Sequence, residues 1–271
     1  MKFRFQGREV YIDGYLAKNL DFLKDAVRKD WDNCLLGDGM EGGGKSICFQ
    51  IVAAYLDPTF CLDRIVFTPK EFETAIKKAE KYQAVLYDEA FSGLSSRGFF
   101  SEVNRSLIGM LTMIRQKNLH VLVLSPAFWE LERYLTLWRS RALIHVYVGK
   151  GWERGYFSFF NYERKKSLYL LGKKTFSYCV APDFRGRFTN TYVVNEEAYR
   201  AKKLRAMIEK GRSRPGLDKW KVQRNGLLEL LVKKGLTHRE IAEGAKALGI
   251  KGLSEPGIQY ALARRAKEDG E

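Results

Sequence analysis

Residues Asn33–Ser46, NCLLGDGMEGGGKS, set a short apolar run directly before the spacing G-x-x-x-x-G-K-S. Backbone without Cβ can curl tightly and aim its N–H groups at phosphate oxygens. A lysine at the end of that curl reaches the outer phosphates, and the hydroxyl of the serine after it suits Mg²⁺. A helix beginning there adds the positive end of its dipole. The stretch therefore predicts strand, phosphate-binding loop and helix start. Gly39, Met40, Glu41, Gly42, Gly43, Gly44, Lys45, Ser46 and Ile47 would surround ATP, with Ser46 on its Mg²⁺ and Lys45 on the transferred phosphate. A chance glycine turn is the competing reading.

Outward from the loop, strand and helix patterns alternate. A helix from Lys45 is expected to stop before Asp57-Pro58, and RIVF (Arg64–Phe67) reads as a strand. Thr68-Pro-Lys-Glu71 combines a capping threonine, a proline at the first helical position and a glutamate three after the cap. Ala84–Tyr87 reads as a third strand running into Asp88-Glu89, and an amphipathic helix is expected near residues 101–116. His120–Ser125 reads as a fourth strand, Phe128–Trp138 as a short helix and Ala142–Val148 as a fifth strand. Such alternation predicts an α/β domain with a mainly parallel sheet. Between Gly155 and Phe188 aromatic residues alternate with small and charged ones. That texture predicts an aromatic β-hairpin over a sheet edge, with turns at Glu163–Lys166 and Gly172–Lys174.

Asp88, at the end of a buried strand, suits Mg²⁺ through water, and the adjoining Glu89 suits orienting and deprotonating an attacking water. The bland alternative is that the pair caps the next loop. GMEGGGKS together with AVLYDEA resembles the P-loop ATPases that carry a catalytic Glu beside the Walker B Asp, a group that includes RecA-like, AAA+ and FtsK/HerA-type proteins. The resemblance implies a RecA-like fold in which a strand between the two Walker strands ends in a polar sensor. Ser125 at the end of HVLVLS matches that position, although Asn, Thr or Gln is usual there and Ser125 could simply end a strand.

More narrowly, DEAFSGLSSR, MIRQKNLHVLVLSPAFWELERYL and RSRALIHVYV resemble the Zot-like ATPases of phages and archaea, over roughly residues 33–190. Filamentous-phage Zot proteins carry a membrane span, and no run in this chain approaches the ~20 apolar residues that a span needs. The resemblance also implies a homo-oligomer, a hexamer in many such motors, whose sites are completed by a neighbour's arginine. Arg97, Arg115, Arg139 and Arg141 are the candidates, with Arg115 and Arg139 favoured.

The formal net charge is +15 and the pI about 9.6, which points to a polyanionic partner, DNA first. The opening MKFRFQGREV has no apolar core after its charges, unlike a signal peptide. The four cysteines are scattered without a C-x-x-C pair, and the three histidines make no ligand spacing with them. Reduced thiols in a cytoplasm, the host's for a viral protein, and no zinc site are expected.

Beyond about Asn195 the chain turns helical and basic. Arg200, Lys202, Lys203, Arg212 and Arg214 are candidate phosphate contacts to DNA, and GRSRPG (Gly211–Gly216) reads as a linker. The expected domains are an ATPase over 1–195, a basic helix and linker over 196–217, and a small helical domain over 218–271. LTHREIAEGAKALGIKGLSEPGIQYALARR resembles a helix-turn-helix, with a capping box at Thr237 and Glu240 and a core of Ile241, Ala245, Leu248, Ile258 and Leu262. Its last helix would bring Gln259, Arg264 and Arg265 near base edges in the major groove. A plain packing or oligomerisation module is the alternative. Together these readings predict an ATP hydrolase acting on DNA, most simply a viral-type translocation or packaging motor. The alternatives are a helper ATPase of transposition or replication loading, and a nucleotide-controlled DNA-binding switch. A small-molecule kinase would leave Glu89 and the tail unexplained.

Overall fold

The fold is taken from a computed structural model, which describes residues 1–88, 109–110, 113–131, 133–212, 215–248, 250 and 253–268. Within these, the side chains of 130, 210–212, 215–222 and 263–268 lie outside the description. The chain divides into two compact units, Met1–Ile208 and Glu209–Glu271.

In the first unit a small antiparallel pair, β1 (Lys2–Phe5) and β2 (Arg8–Tyr11), precedes α1 (Gly14–Arg28). Gln6 and Gly7 make the β1–β2 turn at φ 46° and 79°, and Asp13 caps α1 by accepting from the Tyr15 and Leu16 amides. Then follow β3 (Asn33–Gly39), α2 (Lys45–Leu56), β4 (Ile65–Val66), α3 (Pro69–Lys78), β5 (Ala84–Asp88), β6 (His120–Leu124) and β7 (Ala142–Tyr147). The unit is completed by β8 (Tyr156–Phe160), α4 (Tyr162–Gly172), β9 (Phe184–Arg187) and most of α5 (Glu196–Arg212). The seven-stranded sheet has the order β4-β5-β6-β3-β7-β8-β9. Strands β3 to β7 pair in parallel, while β8 and β9 add antiparallel strands beyond β7. The expected α/β fold with a mainly parallel sheet is therefore present.

Every residue of β3, β5 and β6 is buried, because apolar clusters cover both faces of the sheet. One face packs against α1 and α2; Phe49, Val52 and Ala53 of α2 are fully buried there. A Cβ on Gly37 would overlap the Phe49 ring, so glycine lets α2 sit close on β3. The other face packs against α3 and α4 through Phe72, Ile76, Leu168 and Tyr169. The capping box at Thr68 and Glu71 is present: the Glu71 amide donates to Thr68 Oγ1 at 3.2 Å, and Glu71 accepts in return.

The aromatic β-hairpin is corrected. β8 and β9 do pair antiparallel, but α4 lies between them, and the turn expected at Glu163–Lys166 is helical. Asn161 caps that helix by accepting from the Arg164 amide at 2.9 Å, and ERKKSLYLL is a run of mostly good helix formers. Of the helix expected near 101–116, residues 109–110 and 113–116 are helical and the remainder lies outside the described residues. The short helix at Phe128–Trp138 resolves into a 3₁₀ turn, Phe128–Glu130, and a π turn, Leu135–Arg139.

Among the described residues no helix is long and apolar enough to cross a membrane. The expected boundary near residue 195 is also shifted. Tyr199 and Ala206 of α5 belong to the sheet's apolar cluster, so the basic helix is part of the first unit as far as Ile208.

In the second unit α6 (Pro215–Lys233), α7 (His238–Ala247) and α8 (Glu255–Glu268) enclose a core of Leu228, Ile241 and Ile258, lined by Leu231, Leu253 and Leu262. The Thr237–Glu240 capping box is formed, and Gly235 at φ 92° ends the preceding turn. Leu248, expected in this core, is 79% exposed, because it follows the last turn of α7 and leaves the inward face.

Candidate nucleotide-binding site

β3 stops where its geometry admits only glycine. Gly39 has φ 133°, and a Cβ there would collide with the carbonyl oxygen of Val146 on β7. The loop turns back through Gly42 and Gly44 at φ 75° and 98°, closed by the Gly43 amide donating to Met40 O at 3.1 Å. Gly44 is the N-cap of α2 and supplies no side-chain acceptor, which leaves the first-turn amides to an external anion. Lys45 Nζ donates to Gly39 O at 2.6 Å and Met40 O at 3.0 Å. Burial holds the Lys45 pKa below the usual lysine value, against the opposing charges of Asp38, Asp88 and Glu41.

Sheet order brings the other expected residues to this loop. β6 lies between β3 and β5, so Ser125 after β6 stands between the loop and Asp88. The Ser125 amide donates to Gly37 O at 2.8 Å, and its hydroxyl donates to Ala127 O at 2.9 Å in a local turn. A cavity of about 500 Å³ opens here, a size ordinary for small-ligand sites. The loop contributes Glu41, Gly42, Gly44, Lys45, Ser46 and Ile47, and the strand ends contribute Asp88, Ser125 and Pro126.

The rest of the wall consists of Arg154, Tyr192, Tyr199, Arg200, Lys203, Leu204 and Met207. Tyr199 donates its phenol proton to Asp88, which is only 3% exposed, and Lys203 Nζ lies 3.5 Å from the same carboxylate oxygen. Burial first, and then the Asp88 charge, raise the Tyr199 pKa, so the phenol stays a donor. The Arg154 guanidinium stands 3.9 Å from where a Cβ on Gly42 would lie. No local pattern marks Arg154, Tyr192 or Tyr199; they are brought in by the β7–β8 connection, the β9–α5 connection and α5. One local signal was available, the lone carboxylate inside NCLLGDG. Asp38 is fully buried, accepts from the Tyr178 hydroxyl and lies 3.0 Å from His145 Nδ1, beside the loop.

The expected arginines lie elsewhere. Asp32, immediately before β3, is buried and takes both outer nitrogens of Arg139, one at 2.8 Å. Burial, and then the neighbouring Arg141 charge, lower the Arg139 pKa. Arg115 and Arg141 lie over the Trp31 ring at 5.3 and 5.0 Å. This cluster sits where β3 begins, roughly 20 Å along the strand from the loop at its end. Arg139, expected to complete a neighbouring subunit's site, is here the partner of a buried carboxylate of its own chain. Glu89 and Arg97 lie outside the described residues.

In the basic segment, Lys202 is corrected. Lys202 Nζ donates to Leu62 O at 3.0 Å and Ile65 O at 2.7 Å, tying α5 to the sheet edge, and burial lowers its pKa. Arg200 and Lys203 line the cavity, with Arg200 held by Glu196 at 2.7 Å. Lys202 faces the sheet edge because α5 packs there, whereas the Arg200 side chain is 66% exposed at the rim of the cavity. Gln259 is exposed on α8. Arg214 and the side chains of Arg212, Arg264 and Arg265 lie outside the described residues. Among the described residues no group of His, Cys, Asp and Glu is arranged to hold a metal ion by itself. No protein-family model matches the chain, and no curated protein is significantly similar to it.

Proposed function

We propose that this protein binds and hydrolyses ATP at the cavity between Gly39–Ser46 and Asp88, in a P-loop domain of RecA-like type, and acts on DNA as an oligomeric viral-type translocation or packaging motor. The observation that carries the reading is the strand order. It sets β6 between β3 and β5 and so collects a glycine loop, a lysine, a hydroxyl and a strand-end carboxylate around one cavity. The donor set suits a magnesium nucleotide: Ser46 and Asp88 supply the oxygens for Mg²⁺, which screens charge on the phosphates when bound. Lys45 and the α2 amides would hold the outer phosphates in line for attack. Glu89, which follows β5, would take the proton of the attacking water.

DNA as partner is supported by the +15 charge and by the capped helical unit Glu209–Glu271. A second reading, a nucleotide-controlled DNA-binding switch, is favoured by one feature. α5, a basic helix, contacts the strand-end Asp88 through Tyr199 and Lys203, so its seating depends on what the cavity holds.

The test is the ATPase rate with and without duplex DNA, for wild type, Glu89→Gln and Lys45→Ala. DNA-stimulated turnover, lost in Glu89→Gln while ATP still binds, is the expected outcome for the motor. A slow rate indifferent to DNA sinks the motor and promotes the switch. ATP binding undiminished by Lys45→Ala removes the cavity as the nucleotide site.

A further inference from the structure

We propose that the cation stabilising the terminal phosphate is supplied by the same chain that supplies the loop: Lys203 of α5, with Arg200 beside it, in place of an arginine from a neighbouring subunit. The proposal rests on the reading of the cavity as an ATP site. Lys203 Nζ lies 3.5 Å from Asp88 Oδ2 and donates to the Tyr199 hydroxyl at 3.3 Å, so it stands on the side of the cavity where Mg²⁺ and the last phosphate belong.

Its mounting is fixed. The adjacent Lys202 is anchored to the Leu62 and Ile65 carbonyls, and Tyr199 and Ala206, on neighbouring turns, are buried in the sheet's apolar cluster. Successive residues of a helix point about 100° apart, so anchoring Lys202 to the sheet edge directs Lys203 to the cavity. Lys203 is also accessible to a ligand in the cavity, because its side chain is 30% exposed and its ion pair with Asp88 is long, at 3.5 Å. A triphosphate offers more negative charge than Asp88 alone, so the ammonium gains by shifting towards it.

Arg200 flanks Lys203 one turn earlier, held by Glu196 and stacked 5.8 Å over Tyr192. Among the described arginines expected to act across a subunit boundary, Arg139 is paired with Asp32, and Arg115 and Arg141 lie over Trp31 at the far end of β3.

A merely structural role for Lys203, neutralising Asp88, makes different predictions. The informative variant is Lys203→Gln, which removes the charge and leaves a polar, slightly shorter side chain with an amide donor on the same side of the helix. Three measurements decide the matter: affinity for fluorescent ATP and ADP in Mg²⁺, the single-turnover hydrolysis rate, and activity of an equimolar mixture of Lys203→Gln and Lys45→Ala chains. We expect ADP affinity unchanged within about twofold, ATP affinity reduced about tenfold and hydrolysis slowed by ~10²–10³, the usual loss when one donor to developing charge is removed. The mixture should stay inactive, since every site then lacks one of its two lysines. Activity restored by mixing overturns the assignment, because it shows that the lysine works across a boundary. Equal loss of ATP and ADP affinity, or wild-type hydrolysis by the variant, also overturns it. Wild-type chain that binds neither nucleotide removes the site reading itself, an outcome distinct from the others.

Discussion

Replacing Arg139 with alanine separates an ion pair from an arginine finger. The Asp32 side chain is fully buried and Arg139 is 13% exposed, with both terminal guanidinium nitrogens spent on the carboxylate. Removing the arginine leaves a carboxylate in the interior without its counter-charge, which costs ~3–5 kcal/mol for a buried pair. Water reaches the partly open arginine end, which places this case at the lower figure of ~3 kcal/mol. With a urea dependence of ~2 kcal/mol per molar for a chain of this size, the midpoint should fall by roughly 1.5 M. Urea titration followed by tryptophan fluorescence suits the question, since Trp31 adjoins Asp32. The double variant Asp32→Asn with Arg139→Met should recover most of the loss, because removing both charges together is often nearly neutral. Single-turnover hydrolysis per folded molecule should be unchanged in either variant. A wild-type urea midpoint for Arg139→Ala together with a ~10³-fold loss of hydrolysis would refute the argument and restore the finger.

Two further outcomes follow from the geometry. His120 is 2% exposed, and burial, aided by the Lys24 charge and opposed by Asp57, pushes its pKa down from 6.5 to about 4. The folded value lies below the unfolded one, so stability is complete above about pH 6.5 and is lost as pH falls towards 4. The loss should reach ~3 kcal/mol, and denaturant titrations from pH 7 to 4 should show a shallower decline in His120→Asn. Gly39→Ala places a methyl group against the Val146 carbonyl at φ 133°, whereas Gly7→Ala at φ 79° meets open space. Strain and overlap at Gly39 should together cost ~3 kcal/mol and lower the melting temperature by roughly 6–12 °C, with Gly7→Ala losing less than half as much. Equal losses in the two variants would discard the collision as the cause.

Local chemistry determined much of this protein. β3, the loop and the start of α2 are legible in NCLLGDGMEGGGKS because each needs only short-range features: an apolar run, missing Cβ atoms and a helix start. The capping boxes at Thr68 and Thr237 are legible for the same reason, since donor and acceptor are three residues apart. Buried parallel strands announce themselves as continuous apolar runs, so β5, β6 and β7 are found within a residue or two of their ends.

Tertiary structure decided the rest. Aromatic alternation after Gly155 is equally compatible with a hairpin and with strand, helix and strand; the Asn161 cap and packing on the sheet selected the second. A row of positive residues in a helix carries no information about which face is buried. Packing turned Lys202 to the sheet edge and Lys203 to Asp88, some 115 residues away in the chain, and left Arg139 facing Asp32. Charge is a property of composition, but the partner of each charge depends on which distant segment is folded against it.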